Sequence, residues 1–240
     1  MDLTQIILIV LILFVASATQ GLSGFAFQLI SVPLLAMVIG IKNSVALAAL
    51  FGFTVNIYLI IKLKEHLKFF NLRNLLFGAF LGVPIGAYFL AKANEQLLEH
   101  ILGGIIFLFV FFSLIKIIKP VGISKYWGYV FGFVSGLFGG AFNTNGPPVV
   151  IYFLLQGIEK ESLKASIAGY FLFTLSLIII SHFVAGVVPL KTYLIYFEFF
   201  PVVLLGAYVG HKLFGKVPTE VYNKIILIIL GFISISLILR

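Results

Sequence analysis

Two scarcities shape this 240-residue sequence: it has no cysteine, and only 10% of its residues are charged, eight of them acidic. Without cysteine there is no disulfide framework, no thiolate metal site and no cysteine nucleophile, and the redox compartment is unmarked. Without charge there is no soluble exterior. At 62% hydrophobic residues, a chain of this length cannot hide its apolar surface in a core and still cover the outside with so few polar groups. Zinc-ligand spacing, a phosphate loop and a nucleophile motif are also missing, so neither a metal nor an enzymatic reaction is expected. The net charge of +8 rests on lysines set singly or in short clusters between apolar runs. It forms no continuous basic face, which argues against nucleic acid and for a juxtamembrane role.

What is present is a succession of apolar runs, several longer than the roughly 18 residues that read as a membrane span. They extend from Leu3 to Thr19, Phe25 to Ile39, Val45 to Ile61, Leu75 to Ala91 and Leu97 to Ile118. A second set covers Tyr126 to Phe138, Pro147 to Leu155, Leu163 to Val187, Thr192 to Gly210 and Val221 to Leu239. The sets match. Gly21-Leu-Ser-Gly-Phe-Ala-Phe-Gln-Leu-Ile-Ser-Val-Pro33 repeats the frame of the run from Gly136 to Tyr152, with Gly21 on Gly136, Gly24 on Gly139, Phe27 on Phe142 and Pro33 on Pro148. Further on, Phe51-Gly-Phe-Thr54 matches Phe171-Leu-Phe-Thr174, and Gly86-Ala-Tyr88 with Lys92 matches Gly206-Ala-Tyr208 with Lys212. The expected fold is an all-α polytopic membrane protein of two repeats, residues 1–119 and 120–240, in one membrane domain. Each repeat has about five hydrophobic segments and opens with a broken or re-entrant helical pair, because those segments are short for a bilayer of about 30 Å.

Five segments reverse the chain whether the opening pair spans or re-enters, so the repeats are expected to be inverted. Charge placement agrees: Lys62, Lys64, Lys68, Arg73, Lys116, Lys119, Lys125, Lys160, Lys164, Lys212 and Lys216 fall on one side, and Lys42, Lys92, Lys191 and Arg240 on the other. The positive-inside rule makes the first side cytoplasmic and both termini extracytoplasmic. Residues 1–20 resemble a signal peptide at Ala16-Ser17-Ala18. Asp2 stands where a basic n-region belongs, however, and the equivalent segment of the second repeat is internal, so they are read as part of the mature fold.

The two Gly/Pro stretches carry the chemistry. Unwound backbone at membrane depth is tolerated only against protein or a water-filled cavity, and in inverted-repeat transporters such breaks aim positive helix ends at anionic substrates. Pro147 and Pro148 suit a helix start. Asn143, Thr144 and Asn145 precede them with amide and hydroxyl groups, while Gly136, Gly139, Gly140 and Gly146 permit close approach to the backbone. Gly21, Ser23, Gly24, Gln28 and Pro33 are the first-repeat contributions. Together these residues would cradle an oxyanion without a fixed positive charge. The competing reading is that the glycines only let helices pack closely and the amides bind helix to helix.

The run Gly136-x-x-Gly139-Gly140 to Gly146-Pro147-Pro148-x-x-x-Tyr152, with Gly21-x-x-Gly24-Phe25 to Pro33, resembles the hallmark of the sulfite exporter TauE/SafE family, and the resemblance covers nearly the whole chain. It implies a plasma (inner) membrane transporter exporting sulfite, organosulfonates or other small anions. Phe25 and Phe27 stand where that family is often richer in glycine.

Glu198, a carboxylate between Phe197 and Phe199, is the candidate carrier of a coupling proton, with a structural role as the alternative. His182 and His100 read as interfacial, and Thr54, Asn56 and Thr174 as helix-to-helix hydrogen-bonding groups. The expectation is a secondary transporter of a small anion, with the lipid bilayer as its surroundings, no cofactor beyond a coupling proton or cation, and alternating access between the two breaks. The rival is a non-transporting membrane protein, either an assembly partner or an intramembrane enzyme. Which anion, which coupling ion and which oligomeric state are not legible at this level.

Overall fold

The computed structural model describes residues 2–63, 65, 72–114, 120–158, 160–187, 190–214, 216 and 219–239. Lys64, Lys68, Lys116, Lys119 and Arg240, used above to orient the chain, lie outside the described residues. The described residues form ten α-helices: α1 (Leu3–Ser23), α2 (Phe27–Ile39), α3 (Ile41–Leu63), α4 (Arg73–Lys92), α5 (Glu95–Leu114), α6 (Trp127–Phe142), α7 (Gly146–Gln156), α8 (Lys160–Val184), α9 (Leu190–Leu213) and α10 (Thr219–Ile238). Among them α1, α3, α4, α5, α8 and α9 are long and apolar enough to cross a bilayer. Three of the four helices flanking the breaks are shorter. At 13, 16 and 11 residues, α2, α6 and α7 reach only about 20, 24 and 16 Å.

The polarity of the bundle is that of a protein dissolved in lipid. Leu11, Phe77, Leu81, Phe112, Phe197 and Phe232 are exposed on its outside, while Gln20, Gln28, Asn56, Asn143, Thr144, Asn145 and Thr174 are buried within. Helices satisfy the backbone internally, so the surface can be apolar and the polar side chains can be spent inside. The chain is therefore an all-helical, multi-pass membrane protein.

Helix pairing is exchanged between the halves. α1 packs along α9 as α6 packs along α4, α3 meets α9 as α8 meets α4, and α3 meets α8 directly. Glycine contacts give the directions. Gly78 lies against Tyr129 and Phe133, Gly82 against Phe133 and Leu137, and Gly86 against Leu137 and Ala141, so α4 and α6 run parallel. Gly206 against Phe14 and Ser17, and Gly210 against Ala18, make α1 and α9 parallel in the same way. Gly103 of α5 instead meets Ser234, Leu237 and Ile238 of α10, while Val110 lies near Gly231, so these two helices are antiparallel. The matched Tyr–Lys pairs also recur: the Lys92 ammonium lies 6.0 Å from the Tyr88 ring centroid and that of Lys212 4.6 Å from the Tyr208 ring centroid.

The α4–α6 contact explains why a glycine-rich stretch stays helical. Gly78, Gly82 and Gly86 face Gly132, Gly136 and Gly140, each set spaced four residues apart on one helix face. A side chain at any of them would meet the backbone of the other helix, as in small-residue packing generally. This holds α6 helical through Gly140 and moves the second break. The sequence frame sets Gly24 on Gly139 and Phe27 on Phe142. The left-handed caps are Gly24 and Asn143, and the helices after them begin at Phe27 and Gly146. Both comparisons put the second break four residues, one helical turn, later than the frame predicts. Asn143, at φ 56°, is the one non-glycine with positive φ among the described residues. Asparagine is the residue that most readily replaces glycine in such a cap.

Candidate functional site

The two breaks meet in the interior, between the central helices α3 and α8. A side-chain carbon placed at Gly146 would stand 3.6 Å from the Phe25 carbonyl oxygen and 3.4 Å from the Phe171 ring. Along α8, Lys164 contacts the first break, Phe171 meets Gly146, and Thr174 bonds Asn145. Lys164 and Phe171 are seven residues apart, so their backbones are about 10 Å apart along the axis of α8. Along α3 the order is Val45 bonded to Asn143, Gly52 against Gln28, and Asn56 bonded to Gln20.

At the first break, α1 ends on Gly24 at φ 93° and α2 begins with no side chain of its own as a cap. The cap comes from α1. Gln20 Oε1 accepts from Phe27 N at 3.0 Å, and Gln20 Nε2 donates to Asn56 Oδ1 at 3.1 Å. Ile30 N is paired with the Ala26 carbonyl, so Gln28 N–H and Leu29 N–H remain the open donors of that helix end. The Gln28 side chain is buried with neither Nε2 nor Oε1 hydrogen-bonded, and the buried Ser31 hydroxyl is likewise unpartnered. On the α1 side of this break lies Lys164, 3% exposed and the only charged side chain buried among the described residues. Its Nζ donates to the carbonyls of Gly21 (2.7 Å) and Leu22 (3.4 Å) at the negative end of α1 and lies 3.7 Å from the centroid of the Phe214 ring.

The second break is chemically different. Asn143 donates Nδ2 to the Val45 carbonyl, and Asn145 donates Nδ2 to Thr174 Oγ1 at 2.9 Å. Ser135 Oγ donates to the Asn145 carbonyl at 2.7 Å and accepts from the Tyr170 hydroxyl at 2.8 Å. Asn143 Oδ1, Asn145 Oδ1 and Thr144 Oγ1 are left buried and unpartnered. Pro147 and Pro148 occupy the first turn of α7 and carry no N–H, so two donors are missing from a helix end that would otherwise present them.

The residues singled out from sequence therefore divide. Gln28, Asn143, Thr144, Asn145, Gly146, Pro147 and Pro148 gather at the two breaks, and Gly24 caps the first. Gly139 lies against Asn145 and Ile178. Gly21, Gly136 and Gly140 pack against the backbones of α9 and α4. Ser23 spends its hydroxyl on the Thr19 carbonyl and Phe25 N–H. Pro33 is inside α2 rather than at its start. Glu198 is exposed on α9 and is not brought to either break. His182 is buried rather than interfacial, with Nε2 at 2.7 Å from the Gly140 carbonyl. Lys164, read from sequence as a flanking cytoplasmic lysine, was missed. The legible signal is that Lys164, Ala168, Phe171, Leu175, Ile178 and His182 follow one another at helical spacing, a lysine at the head of a buried apolar stripe.

A lipid-facing helical bundle wound around two buried polar breaks defines a multi-pass membrane transport protein. The family model described as Sulfite exporter TauE/SafE matches residues 9–237, and the chain belongs to that family. No curated protein and no solved structure matches it.

Proposed function

We propose that this protein exports a small sulfur oxyanion, sulfite or an organosulfonate, across the plasma membrane by alternating exposure of the space between its two breaks. The observation that carries the reading is the donor set at the first break. Gln28 N–H, Leu29 N–H, Gln28 Nε2 and the Ser31 hydroxyl are donors without internal partners, gathered at the positive end of α2 and beside the Lys164 ammonium. An oxyanion satisfies them all.

The halves act as inverted repeats in this reading, supported by the antiparallel packing of α5 on α10 and the exchanged helix pairs. Both termini are extracytoplasmic, and the end of the bundle holding Lys62, Lys164 and Lys212 is cytoplasmic. Alternating access follows if one half rocks against the other about the meeting point of Phe25 and Gly146. An enzymatic rival needs a nucleophile bonded to a base, but the buried Ser135, Tyr170 and His182 direct their bonds to one another or to backbone carbonyls.

The test is uptake of radiolabelled sulfite, sulfate and taurine into liposomes containing purified protein. Gln28→Leu keeps the side-chain size and removes donors that bind nothing in the fold. It is expected to leave thermal stability intact and to weaken sulfite affinity about tenfold or more. A wild-type protein that moves none of these anions, or a Gln28→Leu protein with unchanged sulfite affinity, sinks this site.

A further inference from the structure

We propose that the second break is a sodium site, formed by Asn143 Oδ1, Thr144 Oγ1 and Asn145 Oδ1, and that sodium bound there is required for the anion to bind and move at the first break. The pairing with an anion rests on the reading given above; the cation site rests on its own oxygens.

Each oxygen is left over by the hydrogen bonding around it. The Val45 carbonyl can only accept, so Asn143 turns its NH2 toward α3 and its Oδ1 away. Thr174 spends its single hydroxyl hydrogen on the Tyr170 carbonyl at 3.0 Å, so it can only accept from Asn145, whose Oδ1 is in turn left over. Thr144 N–H is bonded to the Phe138 carbonyl, and its hydroxyl has no partner. Three consecutive residues, each 1% exposed or less, thus present unpaired oxygen where α6 ends. Buried oxygens of this kind are costly unless something donates to them or is coordinated by them.

The ligand's class follows from the same atoms. Neutral amide and hydroxyl oxygens suit a hard cation, and the negative end of α6 adds to the attraction. A divalent ion is dehydrated only against anionic ligands, and no aspartate or glutamate is buried among the described residues; a monovalent ion is the better match. Each amide has already spent a hydrogen on Val45 or Thr174, and its oxygen is the atom left with no partner at all, which favours a cation over an anion here.

The counter-charge then comes from the substrate. With the breaks meeting at Phe25 and Gly146, anion and cation attract through a poorly screened interior, and each raises the other's affinity by about tenfold. Each half supplies the site that the other half's ion needs, which makes anion transport depend on sodium without a titrating carboxylate.

The experiment uses full-length protein in detergent and in liposomes, with sodium chloride replaced by N-methylglucamine chloride at constant ionic strength. Sodium is expected to raise the unfolding midpoint saturably, and sulfite to lower the sodium concentration needed by about tenfold. Thr144→Val preserves shape and deletes an unpartnered hydroxyl. It should unfold no lower than wild type in N-methylglucamine, yet need about tenfold more sodium for the same shift. If the variant does not accumulate, the wild-type sodium titration alone decides. A midpoint indifferent to sodium, or a Thr144→Val protein with an unchanged sodium response, overturns the site. Sulfite uptake at full rate in N-methylglucamine overturns the coupling and leaves the anion reading standing. Sodium binding that Thr144→Val weakens, in a protein that moves no anion, supports the cation site and sinks the anion reading.

Discussion

The two breaks interrupt the chain at equivalent places in the helix order, each after a left-handed cap and before a short helix, yet they leave opposite chemistry uncovered. The first ends on glycine, takes its cap from Gln20, keeps its helix-start donors open and lies beside a buried lysine. The second ends on asparagine, loses two helix-start donors to proline and turns amide oxygens inward. On similar scaffolds, side-chain differences make one break donor-rich and the other acceptor-rich. A site assembled from two unlike halves can bind two unlike ions, which two identical halves could not do.

The sharpest way to break this comparison is to remove the packing that sets the register of the second break. Gly136→Val pushes a branched side chain onto the backbone at Ala79 and Val83 and is expected to destabilise the protein by about 3 kcal/mol. Detergent-solubilised yield and thermal unfolding measure it. Gly104, in α5, has nothing near a would-be side chain, and Gly104→Ala should stabilise by about 0.5 kcal/mol. Equal tolerance at both positions would mean that α4 and α6 are not in contact as described.

Next comes the charge that distinguishes the first break. Lys164→Met deletes the ammonium on the Gly21 and Leu22 carbonyls and is expected to reduce sulfite uptake by about tenfold or more. Unchanged uptake in a stable Lys164→Met protein would remove this lysine from the anion's path and leave the two breaks electrostatically alike.

A smaller effect separates the two caps. Asn143→Ala forces an alanine into the left-handed region, whereas Asn143→Gly does not, and the alanine variant should be less stable than the glycine variant by about 1 to 2 kcal/mol. Since both lose the bond to Val45, their difference isolates the backbone. Equal stabilities would show that the second cap is not left-handed. The smallest effect is expected at Glu198, which is exposed on α9: Glu198→Gln should leave pH-gradient-driven uptake within about twofold of wild type. Loss of that dependence would return the coupling role to this carboxylate.

Much of this architecture was legible because it is one-dimensional. Apolar length marked the spans, and the recurrence of Gly21, Gly24 and Pro33 in Gly136, Gly139 and Pro148 marked the neighbourhood of both breaks. The exact position of the second break was not legible. Gly139 and Gly140 have the composition of a loop, but α6 stays helical through them because Gly140, like Gly132 and Gly136, packs on the backbone of α4, a fact about another segment. The same holds for the amides. Asn143 and Asn145 were expected to offer hydrogens to a ligand, and only the positions of Val45 and Thr174 show that each has already given one to the fold while its oxygen is left without a partner.

Composition and periodicity alone thus determined a helical membrane protein and the neighbourhoods where its helices stop, because the bilayer penalises every unpaired backbone group and leaves few alternatives. Tertiary structure decided which polar atoms remain uncovered. It placed Lys164 on the first break and kept Glu198 away from both. Hydrogen-bond satisfaction is settled between segments distant in sequence, and a residue's chemistry becomes available to a ligand only when no neighbour in space has already taken it.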